Sequence, residues 1–347
     1  MIILSKTKTL FDQSSNQDMT PLVPNKSEQH AKDFKITILC ELEGPDIKPL
    51  NDATMKGNYM LKIGERTLDI PNDKSTKSIT LSLYKMKGLR GFLRRACETR
   101  IFELLYQGFS IIPPCTPNAM YPHEEILQAH LTMGYHIQGS CKENPCFIYR
   151  LFGGLERISS ITITPPIIAK SNSERLPTKA QEYLKEHITD LLHINTAVYS
   201  TGDAALKTET FNIINRDTDN AVNNYMKHNL SGVFKFTVDF IGHINEHESV
   251  YENIGFFIDS IFQINNGSVQ LGAMKRSGSG RVNIGLCFAE SNRKFESLTA
   301  FITEEIRNKT EVKVGSRILT NIQPKYALSH EFLVQCHEKF LTKIENG

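Results

Sequence analysis

The 347-residue sequence contains no tryptophan, and nothing about function follows from that. It also lacks an excess of either charge. Forty Lys and Arg stand against 38 Asp and Glu, a net charge of +2, so any nucleic-acid surface must come from local clustering. No apolar run approaches the length that a membrane-spanning helix needs. The opening residues, Met1 to Leu4 followed by Lys6 and Lys8, carry no apolar block with a small-residue cleavage site. The expectation is a soluble, cytoplasmic protein with no membrane partner. No Gly-Lys-Ser or Gly-Lys-Thr sequence occurs, so ATP-driven chemistry would belong to a partner. His187, His193, His243 and His247 have no paired carboxylate or nucleophile pattern around them, which gives no support to acid–base catalysis. Seven cysteines, an odd number without an export signal, point to reduced thiols or metal ligation rather than disulfides.

What is present describes a globular chain of one large or two ordinary domains, with 40% hydrophobic residues for its core. Residues 1–32 are polar and read as a mobile N-terminal arm. Phe34, Ile36, Ile38, Cys40 and Leu42 alternate with polar residues at the period of a half-buried strand. Residues 44–78 read as a turn-rich connection with short strands. Gly88 to Gln107 reads as a helix, with Leu89, Phe92, Leu93, Ala96, Cys97, Ile101, Leu104 and Leu105 on one apolar stripe. Residues 109–149 read as an insertion outside the core. Ile158, Ile161, Ile163 and Ile167 mark a second strand ending near Pro165-Pro166. Residues 169–231 form a second insertion, with an amphipathic helix from Thr178 to His193. Phe234, Phe236, Val238 and Phe240 give a third strand, and Val250 to Ile261 a second helix. Val269, Leu271 and Ala273 with Val282, Ile284, Leu286 and Phe288 give a strand pair, and helices are expected at Leu298–Asn308 and Ser329–Lys343. The order strand, helix, strand, strand, helix, strand predicts an α+β, ferredoxin-like (RRM-like) palm built from 33–108, 150–168 and 232–347, with 109–149 as a finger-like and 169–231 as a thumb-like insertion.

Three segments carry candidate chemistry. The first is the basic start of the first helix, where Lys87, Arg90 and Arg94 share a face with Arg95 beside it and Lys85 just ahead. Cations there oppose the helix dipole, a cost that a bound phosphate would offset. The second is Leu151-Phe152-Gly153-Gly154. The third is a glycine-punctuated loop, Lys275, Arg276, Ser277, Gly278, Ser279, Gly280 and Arg281, in which bare backbone and three cations suit a phosphate. The first has a plain alternative as a solvated basic face, and the third as a hairpin tip.

Taken in this order, the segments resemble the RAMP superfamily of CRISPR-associated proteins, specifically its Cas seven backbone subunits in class 1 effector complexes. Lys87 to Arg95 resembles the family's Lys-Gly-x-Leu-Arg-Gly pattern, Arg150 to Gly153 its Leu-Phe-Gly motif with Cys146 upstream, and Lys275 to Arg281 its glycine-rich loop. The resemblance, closest to the type IV branch, implies a non-enzymatic subunit that oligomerises along a guide RNA. It would present the guide for pairing with target DNA or RNA, alongside other effector subunits and copies of itself in a helical filament. It implies no catalytic residues. The rival implication is a RAMP endoribonuclease, with Asp46 or Asp52 essential for target cleavage or a histidine essential for guide processing. Asp46, Asp52, Asp69 and Asp73 do not match the setting of the family's cleaving aspartate. Phosphate contacts from the first-helix and loop cations would bind RNA without reading its sequence.

Two further groups complete the reading. Cys115, His123, His130, His136, Cys141 and Cys146 crowd the finger-like insertion. A zinc site of Cys115, His123, Cys141 and Cys146 would tie together a segment too small for its own core. The spacing is not that of a standard finger, and the alternative is that Cys146 belongs to the Leu-Phe-Gly strand with the histidines simply exposed. Tyr199, Phe211, Tyr225 and Met226 of the thumb-like insertion are candidates for stacking on bases or for a small local core.

Overall fold

Alternation in the sequence becomes one buried face of a sheet. In the computed structural model Phe34, Ile36, Ile38, Cys40 and Leu42 lie in β1 (Asp33–Ile47) and are all buried. The structure describes residues 33–47, 60–72, 75–116, 124–137, 141, 144–154, 157–171, 176–200, 205–214, 221–271, 280–314 and 317–346. Contacts gather residues 34–347 into one unit. The N-terminal arm, residues 1–32, lies outside the described residues.

The architecture is α+β with two sheets. After β1 come β2 (Met60–Asn72), β3 (Ser75–Met86), α1 (Leu89–Tyr106), α2 (Glu124–Thr132), α3 (Phe147–Phe152), β4 (Ile161–Thr164) and β5 (Ile167–Ser171). Then follow α4 (Thr178–Leu192), β6 (Ala197–Tyr199), β7 (Ala205–Ile214), β8 (Ala221–His243), α5 (His247–Asn265), β9 (Asn283–Ser291), β10 (Ile302–Val314), β11 (Arg317–Leu328) and α6 (His330–Asn346). The larger sheet has seven strands in the order β10-β11-β9-β1-β8-β4, with β7 added on β8. The smaller runs β2-β3-β5-β6. Phe234, Phe236, Val238 and Phe240 of β8 join the β1 side chains in one core with α1, α5 and α6. A separate apolar cluster lies under α4, where Leu184 and Ile188 meet Leu81, Ile167 and Ala169.

Several sequence expectations change here. The connection at 44–78 holds a hairpin of 13- and 12-residue strands. It left no alternating signature because most of β2 is exposed and cross-strand pairing holds it. The second strand is only β4. Ile158 lies before it, 92% exposed, and Ile167 belongs to β5 in the other sheet. Pro165 and Pro166 separate the two because proline has no N–H for the ladder. The 109–149 segment is not outside the core: Cys115, Cys141, Cys146, Phe147 and Ile148 are buried in the main cluster. At the glycine loop only β9 is a strand among the described residues; Val269 and Leu271 are buried coil, and Ala273 lies outside them. Leu298–Asn308 is a 3-10 turn, Glu296–Phe301, running into β10. There, pairing with β11 overrides a locally helix-compatible pattern.

Candidate nucleic-acid interface and metal centre

The first-helix motif begins at Gly88, which holds φ 81° and caps α1 without a side-chain hydrogen bond. Lys85 and Lys87, just ahead, are exposed. Arg90 turns toward the Leu-Phe-Gly segment. It donates to the Phe152 carbonyl at 2.8 Å, reaches the Ile161 carbonyl at 3.4 Å, and places its guanidinium 5.5 Å from the centre of the Phe152 ring. Leu151 is fully buried, and Ser159 Oγ donates to its carbonyl at 2.6 Å. Gly153 has φ 71° and ψ −173°, a region open to glycine alone. A Cβ there would lie 2.6 Å from Arg157 O and Ser159 N. Two motifs 60 residues apart therefore form one corner, and Arg90 joins them.

Arg94 is also turned inward. Its Nε meets Glu98 Oε1 at 2.8 Å and its terminal nitrogen donates to the Cys115 carbonyl at 3.2 Å, with 15% of the side chain exposed. Glu98 is a buried carboxylate that also accepts from the Tyr135 hydroxyl at 3.1 Å. Burial and the charge of Glu98 push the Tyr135 phenol up to about 12. Arg95, 56% exposed, donates to Tyr135 Oη at 2.8 Å and lies 3.5 Å from Glu98. The shared basic face expected from helical spacing is thus divided: Lys87 and Arg95 face outward, while the Arg94 guanidinium is committed to internal acceptors. Glu98, four residues after Arg94, is the partner the sequence reading missed, and i,i+4 spacing is the signal that exposes it.

Below Arg94 lies a sulfur cluster. The Sγ atoms of Cys115, Cys141 and Cys146 all lie within 4.8 Å of one another and are buried. Cys141 and Cys146 sulfurs are 3.7 Å apart, and His136 Nε2 is 2.8 Å from Cys141 Sγ. A two-bond bridge sets His136 beside Cys115, with Thr116 N–H donating to His136 O at 2.9 Å and His136 N–H to Pro114 O at 3.2 Å. Cys146 caps α3, its sulfur accepting from Tyr149 N–H at 3.4 Å. The Cys146 thiol is pulled down to about 4, chiefly by a hydrogen bond from Cys115 and further by His136 and the Tyr149 N–H, against its burial. Burial raises Cys141 to about 11, and the bond to Cys146 with burial raises Cys115. His136 Nδ1 is buried with no hydrogen-bond partner among the described residues.

Three sulfurs and one imidazole nitrogen are the donor set of a structural zinc site, so these residues fit that ion. The imidazole beside the three sulfurs is His136, its Nε2 2.8 Å from Cys141 Sγ, a candidate fourth donor. His123 lies outside the described residues, and His130 meets Tyr135 edge to face with ring centres 5.2 Å apart.

Of the glycine loop, Lys275, Arg276, Ser277, Gly278 and Ser279 lie outside the described residues. Its two ends are joined: Leu271 N–H donates to Gly280 O at 2.8 Å. Gly280 has φ 84°, and a Cβ there would come within 2.0 Å of Leu271 O, so glycine is required at the neck rather than only at a flexible tip. Arg281 is exposed beside a cavity of about 560 Å³ that Glu43, Gly44, Gly267 and Asn283 also line.

The remaining candidates separate. Tyr199 is buried against the smaller core. Phe211 is opposite Tyr225, and Thr210 opposite Met226, in the β7–β8 ladder. Asp69 accepts from Ser78 Oγ at 2.5 Å, Asp46 lies in β1, and Asp52 and Asp73 lie outside the described residues. Among the described residues no helix is long and apolar enough to cross a membrane. No protein-family model matches the chain, and no curated protein matches it.

Proposed function

We propose that this chain is a guide-RNA-binding backbone subunit of a class 1 CRISPR effector complex, non-enzymatic and nearest the type IV branch. The observation that carries the reading is the corner at Arg90. The two segments that resemble the RAMP motifs, separated by 60 residues, are hydrogen-bonded to each other. The strand order β9-β1-β8-β4, with α1 after β1 and α5 between β8 and β9, is the order of a ferredoxin-like palm and supports that finer fold. In this reading residues 109–149 and 169–231 are the finger-like and thumb-like insertions. Lys85, Lys87, the open first turn of α1, Arg95, Arg281 and the basic loop contact the RNA backbone, while Arg90, exposed but bonded to the Phe152 carbonyl, and Arg94, turned inward, set the shape of that surface. Cys115, His136, Cys141 and Cys146 hold zinc, which cross-links the insertion to α3 and takes no part in chemistry on RNA.

The test is fluorescence anisotropy with two unrelated single-stranded RNAs of equal length across a salt series. Equal affinities are expected, with log K falling linearly in log salt by about 0.7 per phosphate contact. Absence of binding at low salt, or binding of one sequence only, overturns the reading.

A further inference from the structure

Zinc bound to three thiolates and a neutral histidine is a buried anion, and a buried net charge needs a partner nearby. Among the described residues the side chain that reaches the cluster's backbone is Arg94, through its 3.2 Å bond to the carbonyl of Cys115. Its other face is fixed by Glu98 at 2.8 Å, and Glu98 is fixed in turn by Arg95 and Tyr135. With the ion bound, the two arginines, the glutamate, the three thiolates and the dication sum to neutrality, and Arg150, whose charge also acts on Cys146, is matched by Glu252 at 3.3 Å. The same bond sets the position of Cys115, one ligand of the set, from a rigid 18-residue helix.

We infer that Arg94 is a positioning residue for the Cys115–His136–Cys141–Cys146 metal site, orienting Cys115 and balancing its charge, and not an RNA ligand. This rests on the zinc reading above. It also gives α1 a second role: the helix with outward-facing Lys87 and Arg95 is fastened to the metal through its inward arginine, so ion and basic surface are held in one register. Outer groups of this kind are worth about 10–100-fold in metal affinity.

The experiment is competition of purified full-length protein with a chromophoric chelator for zinc, with cobalt(II) as a spectroscopic substitute. The wild type is expected to take up one equivalent, with the visible bands of a tetrahedral, thiolate-rich cobalt site. Arg94→Lys, which keeps the charge but not the fork, should bind zinc about 10–100-fold more weakly, and Arg94→Gln, which removes the charge, should keep the wild-type RNA salt slope. Should Arg94→Lys not fold, Glu98→Gln serves, and a several-fold loss of zinc affinity is expected. Wild-type zinc affinity in both Arg94→Lys and Glu98→Gln overturns the inference, as does a salt slope reduced by about 0.7 in Arg94→Gln. A wild type that takes up no metal overturns it together with the zinc reading. A wild type that binds metal but no RNA removes the RNA function and leaves the metal test standing.

Discussion

Arg90→Met separates two accounts of the same residue. As a phosphate ligand, Arg90 would contribute to RNA affinity and little to stability. As the clamp between the first-helix and Leu-Phe-Gly segments, it would contribute mainly to stability. The bond to Phe152 O at 2.8 Å is charge-assisted, about 1.5–3 kcal/mol, and leaves that carbonyl unpaired when removed. The Phe152 ring contact at 5.5 Å adds about 0.5–1 kcal/mol, and the 3.4 Å contact to Ile161 adds little. Methionine retains the aliphatic stem. Because the Arg90 side chain is partly exposed, the low end applies, a net loss of about 2 kcal/mol. Urea unfolding should show a lower midpoint with an unchanged slope against denaturant. Arg90→Lys should lose nearly as much, since an ammonium cannot reproduce the fork. The reasoning is refuted if Arg90→Met unfolds at the wild-type midpoint while its RNA salt slope falls by about 0.7.

Gly153→Ala should destabilise by about 3 kcal/mol or more, because φ 71° with a Cβ 2.6 Å from two backbone atoms leaves no small adjustment; a wild-type melting temperature would disprove the fit. Thiol titration of the native protein should find only Cys287 of the seven cysteines reactive, since the other six are buried. Burial and Glu41 hold the Cys287 thiol above its ordinary value, so its rate should be slow at neutral pH and climb as pH rises; prompt reaction of two or more thiols would contradict the burial pattern. Glu248 is held below the usual carboxylate range, first by its hydrogen bond from Lys339. A depressed carboxylate contributes stability above its unfolded pKa and loses it as pH falls through the folded value. Lys339→Met should therefore cost less than about 1 kcal/mol at neutral pH, the pair being largely exposed, and the gap in melting temperature should close on acidification. A gap that persists at low pH would assign the effect to packing on Tyr251 instead.

How much of this was readable depended on what holds each segment. β1, α1, β8, α5 and α6 bury one face against a single core, and burial writes a period into the sequence. β2 and β10 are held by hairpin pairing, which imposes no comparable period. The smaller sheet was invisible for another reason: β2 and β3 lie on one side of α1 in the chain and β5 and β6 on the other, so only pairing unites them. At the sulfur cluster the cysteines were legible, but several histidines lie in the same segment, and the bridge between Cys115 and His136 brings His136 beside it. Helical spacing set Arg94 on one face with Lys87 and Arg90. It could not show that the segment around Cys115 would cover that face.

The most direct measurement is to express the chain with its neighbouring genes, purify it, and sequence any RNA that accompanies it. The account predicts a large, multi-copy particle carrying RNA of one discrete guide length. A small protein free of RNA would contradict it.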